Sequence, residues 1–281
     1  LLPLYVAMYD RTSPKARPIV ERFKDEVIEL LSAQDLQVVA PDVCCVKEQF
    51  ENAVTLFEKE QVDAIVTLHL AYSPSLESYE ILSNTKLPIL VLDATPAYSF
   101  AYDSDVTQLM YNHGIHGVQE MCCMLKRSGK PYSVFAGHYL NSDVISKVAN
   151  AAKAISSANV LKKGIKIGMI GDHFEGMGDF VVEKEILNNL GITEVNCSGE
   201  ELEKSIESIT VEQIKEEYQK DKSICKMDDV TFEQYQPTEK IALGIRKWLK
   251  DQGLKGFSMN FQSVGQLKGF SIMPFSEASK A

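Results

Sequence analysis

No apolar run in the sequence approaches the roughly 18 residues that a membrane-spanning helix needs, so a soluble chain is expected. Cations are scarce: 29 Lys and Arg face 39 Asp and Glu, for a formal net charge of −10. Proteins that grip nucleic acid neutralise phosphates with clustered Lys and Arg, so neither nucleic acid nor a membrane surface is an expected partner. C-x-x-C spacing is missing as well. The six cysteines fall at Cys44-Cys45, Cys122-Cys123, Cys197 and Cys225. Vicinal cysteines bridge only with strain, so reduced, buried thiols in a cytoplasmic protein are expected. The first residues, "LLPLYVAMYD", lack a basic leader and a small-residue cleavage site and read as a first β-strand.

Nucleotide fingerprints fail in the one stretch that invites them, "GMIGDHFEGMGDF". Gly171 and Gly176 have P-loop spacing, but Met177 and Gly178 stand where Lys and Ser/Thr must follow. Gly168, Gly171, Gly176 and Gly178 do not spell G-x-G-x-x-G either, which leaves a strand-to-helix loop with His173, Glu175 and Asp179 as polar edges. Repeats of solenoid length and low-complexity tracts are absent.

What is present is a rhythm. With 281 residues, 45% of them hydrophobic and 24% charged, the chain suits two domains of ordinary composition. "LPLYVAMY" reads as a strand, and the next segment places Ile19, Val20, Phe23, Val27, Leu30 and Leu31 at helical spacing. "LQVVAPDV" reads as a second strand, followed by a helix over 47–60, the strand "DAIVTLHL", a helix over 75–84 and the strand "LPILVLD". A helix over 111–129, the strand "PYSVFAGHY" and a helix over 142–158 complete a doubly wound sheet of flavodoxin-like type. The connector "VLKKG" restarts the pattern, so domains 1–160 and 161–281 are expected. The second contains strands 165–170 and 192–197, a helix near 183–190, the strand "LKGFSMNF" and three acidic helices, 199–208, 210–221 and 237–252. Their charge runs are expected to be solvated surface.

Ligands of doubly wound folds bind where the strands deliver their carboxyl ends. In domain one those loops collect Tyr9, His69, Tyr72, Ser73, Asp93, Thr95, Tyr98 and His138: many hydroxyls, few charges. Ser, Thr and Asp there also serve as helix caps. Gathered on one edge, the set suits a small neutral sugar better than a phosphate, which needs convergent cations. The segment "YNHGIHGVQEMCCML" adds His113 and His116, each followed by glycine, with Glu120 a turn further on. A chelating histidine pair on a helix wants i, i+4 spacing, so three-residue spacing speaks against metal and for a loop turning into a helix. A histidine at a helix start, backed by free N–H groups, can hold an oxygen-rich ligand.

"YNHGIHGVQEMCCMLKRSGKPYSVFAGHY", with "LAYSPSLES" upstream and "FEGMGDF" downstream, resembles the L-arabinose isomerase family, in its divergent arabinose isomerase-like branch. The resemblance implies two flavodoxin-like, Rossmann-like domains of the fucose/arabinose isomerase type, followed by a third domain. It implies aldose–ketose isomerisation, assembly as a homotrimer or homohexamer, and manganese or a similar divalent ion held by two glutamates and two histidines. It also places His116 at the substrate site of a neighbouring subunit. Where the family's first metal-binding glutamate stands, "FSMNFQSV" carries Gln262. An amide neither ionises nor exchanges protons near neutrality, so this position is not expected to be catalytically competent. The remaining ligands would lie beyond Ala281, so this chain alone is not expected to bind the metal or to isomerise sugars. Two readings follow: an isomerase whose catalytic remainder lies elsewhere, or a non-catalytic sugar-binding or regulatory relative.

Overall fold

The computed structural model describes residues 1–173, 176–178 and 182–275. It is a Rossmann-like α/β protein that divides into two compact units, Leu1–Asn159 and Val160–Ala281.

Unit one is built on a parallel sheet of β1 (Leu2–Leu4), β2 (Ile65–His69), β3 (Ile89–Asp93) and β4 (Tyr132–Ala136), in that order. Its helices are α1 (Met8–Thr12), α2 (Ala16–Ser32), α3 (Lys47–Lys59), α4 (Tyr79–Asn84), α5 (Leu109–Asn112), α6 (Gly114–Arg127) and α7 (Val144–Lys162). Side chains alternate across a strand, and β3 shows the result: Leu90 and Leu92 face one core, Ile89 and Val91 the other. The first core takes Val20, Phe23, Val27 and Leu31 of α2 with Val144, Ile145 and Val148 of α7. The second takes Phe50, Val54 and Phe57 of α3, Leu82 of α4, and Val118, Met121 and Leu125 of α6. Helices cover both faces, as continuous apolar strands require.

Several readings of the sequence need correction. "LPLYVAMY" is not one strand. Pairing with β2 ends at Leu4 opposite His69, and the chain winds into α1 three residues before Arg11, so Tyr9 is helical rather than in a strand-end loop. A continuous apolar run cannot tell a buried strand from a buried helical turn, and here Tyr9 is buried edge-on to Tyr5, ring centroids 6.0 Å apart. "LQVVAPDV" forms no strand. Just past it, Cys44 meets the free edge of β1 in a single parallel bridge to Leu4, with Tyr5 N–H donating to Cys44 O and Cys44 N–H to Pro3 O, both at 3.0 Å. Pro41 has no N–H to give a ladder, which keeps the segment irregular. Counted as an edge, it makes the spatial order second, first, third, fourth, fifth, that of a flavodoxin-like sheet. β4 is not covered on both sides: Val134 is 47% exposed.

Unit two has a three-stranded parallel sheet, order β6 (Ile192–Cys197), β5 (Ile165–Ile170), β7 (Gly256–Met259). Its helices are α8 (Lys184–Asn189), α9 (Gly199–Glu207), α10 (Val211–Ile224) and α11 (Phe232–Gln252). Ile241, Ile245 and Trp248 of α11 join Leu202 and Ile206 of α9 and Ile170 of β5 in its core. A Cβ on Gly168 would lie 2.5 Å from the Trp248 ring, and one on Gly244 the same distance from Ile206 Cγ1, so both glycines are contact points. α11 begins at Phe232, ahead of Pro237, because Thr231 and Gln234 close a capping box there. Pro237, the sixth residue of α11, has no N–H to donate to Glu233 O, so the helix runs through it one backbone bond short.

Candidate functional site

The carboxyl ends of β1 to β4 deliver the candidate residues of unit one, and they fall into two groups.

The first surrounds the start of α6. His113 is its N-cap residue, with φ −112° and ψ 31°, which separates α5 from α6 where a single helix was read. His113 Nδ1 is 2.5 Å from Leu109 O. A carbonyl only accepts, so that nitrogen carries the proton and Nε2 accepts from the Tyr9 hydroxyl at 3.0 Å. Burial lowers the His113 pKa, and the neighbouring His116 adds to the effect, while the bond to Leu109 opposes it. The Tyr9 hydroxyl is shifted upward by burial, so both partners are neutral. His116 is exposed, its Nδ1 3.3 Å from His113 O and its ring centroid 5.8 Å from that of His113. Glu120 is held by two hydroxyls: Tyr72 donates to Oε2 and Ser75 to Oε1, each at 2.9 Å.

His69 explains the glycines that follow the two histidines. A Cβ on Gly117 would lie 2.7 Å from His69 Cδ2, and one on Gly114 would lie 2.6 Å from His69 O. Only glycine lets α6 approach the end of β2 so closely. His69 itself is 2% exposed, and neither ring nitrogen has a partner among the described residues. Burial pushes its pKa down to about 3. It belongs to the packing beneath the edge, not to the open edge where the sequence reading placed it.

The second group lies at the ends of β3 and β4. Asp93 pairs in register with Ala136, and Gly137 N–H donates to Asp93 O at 3.1 Å, which brings His138 to the same edge. Burial raises the Asp93 carboxyl pKa. His138 Nδ1 accepts from the N–H groups of Leu140 and Asn141, both at 3.2 Å, so its proton is on Nε2. That Nε2 is buried and without a partner among the described residues. Tyr98, 73% exposed, meets the His138 ring edge-on at 5.4 Å. Thr95 is spent locally: its hydroxyl donates to Ala97 O at 2.9 Å.

In unit two the corresponding edge holds Gln262, which is exposed on the turn Phe261–Ser263 after β7. Asn260 builds this edge, accepting from Gln262 N–H at 3.0 Å and donating through Nδ2 to Asp172 O at 2.8 Å. Gly171, at φ 85°, lets the β5 loop fit there, since a Cβ would lie 1.8 Å from Ser263 Oγ. Of the polar residues read on the loop after β5, His173 is exposed, and Glu175 and Asp179 lie outside the described residues.

The family resemblance implies a divalent metal, and the described residues do not fit one. Gln262 offers a neutral amide oxygen, and no three His, Cys, Asp or Glu side chains gather to hold an ion among the described residues. Nor is any described helix long and apolar enough to cross a membrane.

No protein-family model matches the chain. Individual proteins do. The L-arabinose isomerase of Thermotoga maritima is 26% identical over 240 residues, covering 79% of this chain and 47% of that protein. Its counterpart in Thermotoga neapolitana is 25% identical over 280 residues, 95% of this chain and 54% of that protein. The chain's distant relatives are L-arabinose isomerases. Shouchella clausii supplies another, 23% identical over 277 residues. The chain spans about half the length of these curated relatives.

Sequence reasoning singled out His113 only as half of a rejected metal pair and missed its bond to Tyr9. The two residues are 104 apart, and no spacing rule reaches that far. Glu120 was visible as the residue one turn after His116, but not its two hydroxyl partners.

Proposed function

We propose that this chain recognises a neutral sugar as part of a relative of the aldose–ketose isomerases. The observation that carries the reading is the His138 Nε2–H, a buried donor without a partner among the described residues, on the same edge as Asp93. Leaving such a donor unmet costs about 1–3 kcal/mol, which a ligand hydroxyl would recover. Asp93 supplies the acceptor, and the exposed Tyr98 ring an apolar face for the sugar's C–H groups. Tyr9, His113 and His116 extend the set with hydrogen-bonding groups, and Tyr72 lies next to them through Glu120. Cations are missing from this list, which disfavours phosphate.

Calorimetric titration with arabinose, ribulose and fucose, and with their phosphates, tests this. Binding of the free sugars is expected, with weaker or absent binding of the phosphates; tighter binding of the phosphates refutes the reading.

Gln262 supports a second, non-catalytic reading, because proton transfer between adjacent carbons of an open-chain sugar needs a group that ionises. Turnover of L-arabinose by this chain with manganese added would dismiss it.

Assembly as a homotrimer or homohexamer, with His116 near a subunit boundary, belongs to the same proposal. Support comes from the exposed aromatic side chains Tyr98, Phe100 and Tyr102, which precede the His113–His116 segment in the chain. Sedimentation at micromolar concentration should show a closed oligomer, and a clean monomer would count against it.

A further inference from the structure

Glu120 lies one turn beyond His116 on α6, and its two carboxylate oxygens are both occupied. Both donors, Tyr72 and Ser75, come from the segment that follows β2, and Ser75 is buried. That segment also receives the bare face of α6: a Cβ on Gly117 would lie 3.0 Å from Ser73 N as well as 2.7 Å from His69 Cδ2. The first turns of α6 are therefore seated on the end of β2 by glycine contact and tied there by one carboxylate. His113, at the N-cap position of this helix, is simultaneously bonded to Tyr9 from α1 and to Leu109 O from α5.

We infer that Glu120 is a positioning residue: its carboxylate clasps α6 to the β2 loop, and so keeps His113 on Tyr9 with the proton fixed on Nδ1. A carboxylate can accept several bonds from one place, which is why a single group can tie two hydroxyls of a loop to a helix. Seen this way, the His-x-x-His-x-x-x-Glu spacing is not a ligand set. It is a recognition edge with its own anchor one turn behind. This role deepens the sugar-site reading and rests on it for why the placement of His113 and His116 matters; the clasp itself exists without any ligand.

The test reads the imidazoles of the full chain by nuclear magnetic resonance, with no sugar present. His113, assigned by loss of its signals in His113→Gln, should titrate below the ordinary value and show the Nδ1–H tautomer. The groups facing it are Tyr9, the Leu109 carbonyl and His116, and burial is the main cause of its lowered pKa. In Glu120→Ala the His113 midpoint should rise toward about 6.5, the value of a free imidazole, and the tautomer preference should weaken. Tyr72→Phe and Ser75→Ala, each removing one hydroxyl, should move it part of the way. Glu120→Gln, which keeps one acceptor oxygen, should restore part of the wild-type behaviour. An unchanged His113 midpoint and tautomer in folded Glu120→Ala would overturn the proposal. Should that variant not fold, the Tyr72→Phe, Ser75→Ala double variant keeps the carboxylate and decides by the same criterion. Silence in the sugar titrations with an intact histidine response would fail the sugar-site reading alone.

Discussion

Below pH 6.5 unit one should lose stability with a slope approaching about 1.4 kcal/mol per pH unit, and His69→Leu should remove most of that slope. In the folded chain burial pushes the His69 pKa down to about 3. In the unfolded chain the same imidazole titrates near about 6.5. Between these values the unfolded state binds the extra proton, so the stability present above the upper value falls as pH falls, until the folded imidazole also protonates. His113, whose pKa burial also lowers, acts in the same direction. Hydrogen exchange of the β2 amides, Ile65–His69, at several pH values would report the effect where it arises. Leucine should also be tolerated at neutral pH, because it replaces two ring nitrogens that have no partner among the described residues. Equal pH slopes for the two proteins would dismiss His69 as the cause.

Trp248→Ala should destabilise unit two by about 3–5 kcal/mol, the usual cost of emptying a large aromatic site. The indole is 2% exposed, and the backbone of Gly168 in the central strand β5 lies directly against its ring. Having no side chain, Gly168 cannot swing in to fill the hole. Gly168→Ala alone should be harmful as well, since its Cβ would lie 2.5 Å from ring atoms, yet it should recover part of the loss when added to Trp248→Ala. Thermal denaturation followed by circular dichroism would measure all three. A loss below about 1 kcal/mol for Trp248→Ala would mean the site collapses freely and the packing account is wrong.

Much of the architecture was legible because burial writes a period into sequence. β5 and β6 occupy the spans read from their apolar runs, and α3 departs by one residue. The misreadings in the first two segments share a cause: a local pattern was overruled by a distant partner. β1 is short because its neighbour β2 ends at His69, and the second segment stays irregular because Pro41 interrupts a ladder that only the sheet defines. α11 starts early for a local reason, because the capping box of Thr231 and Gln234 opens the helix five residues ahead of Pro237. The candidate edge was legible as a list of loops, since the topology of a parallel sheet fixes which loops share an end. Its interior was not. His69 and His138 look alike in sequence, yet one is sealed beneath two glycines of α6 and the other caps its own loop through Nδ1. Those differences arise from which backbone closes over each ring.

The indole buried against Gly168 is the chain's single tryptophan, whereas tyrosines number 11. Selective excitation of that indole therefore gives an optical signal that originates wholly in unit two. As denaturant rises, its emission should shift to the red when this core opens to water, whatever the state of unit one. Far-ultraviolet dichroism, by contrast, sums the helices of both units. If the two curves superimpose, the units unfold as one cooperative system. If they separate, the gap between them measures how independently two sheets on one chain hold themselves together.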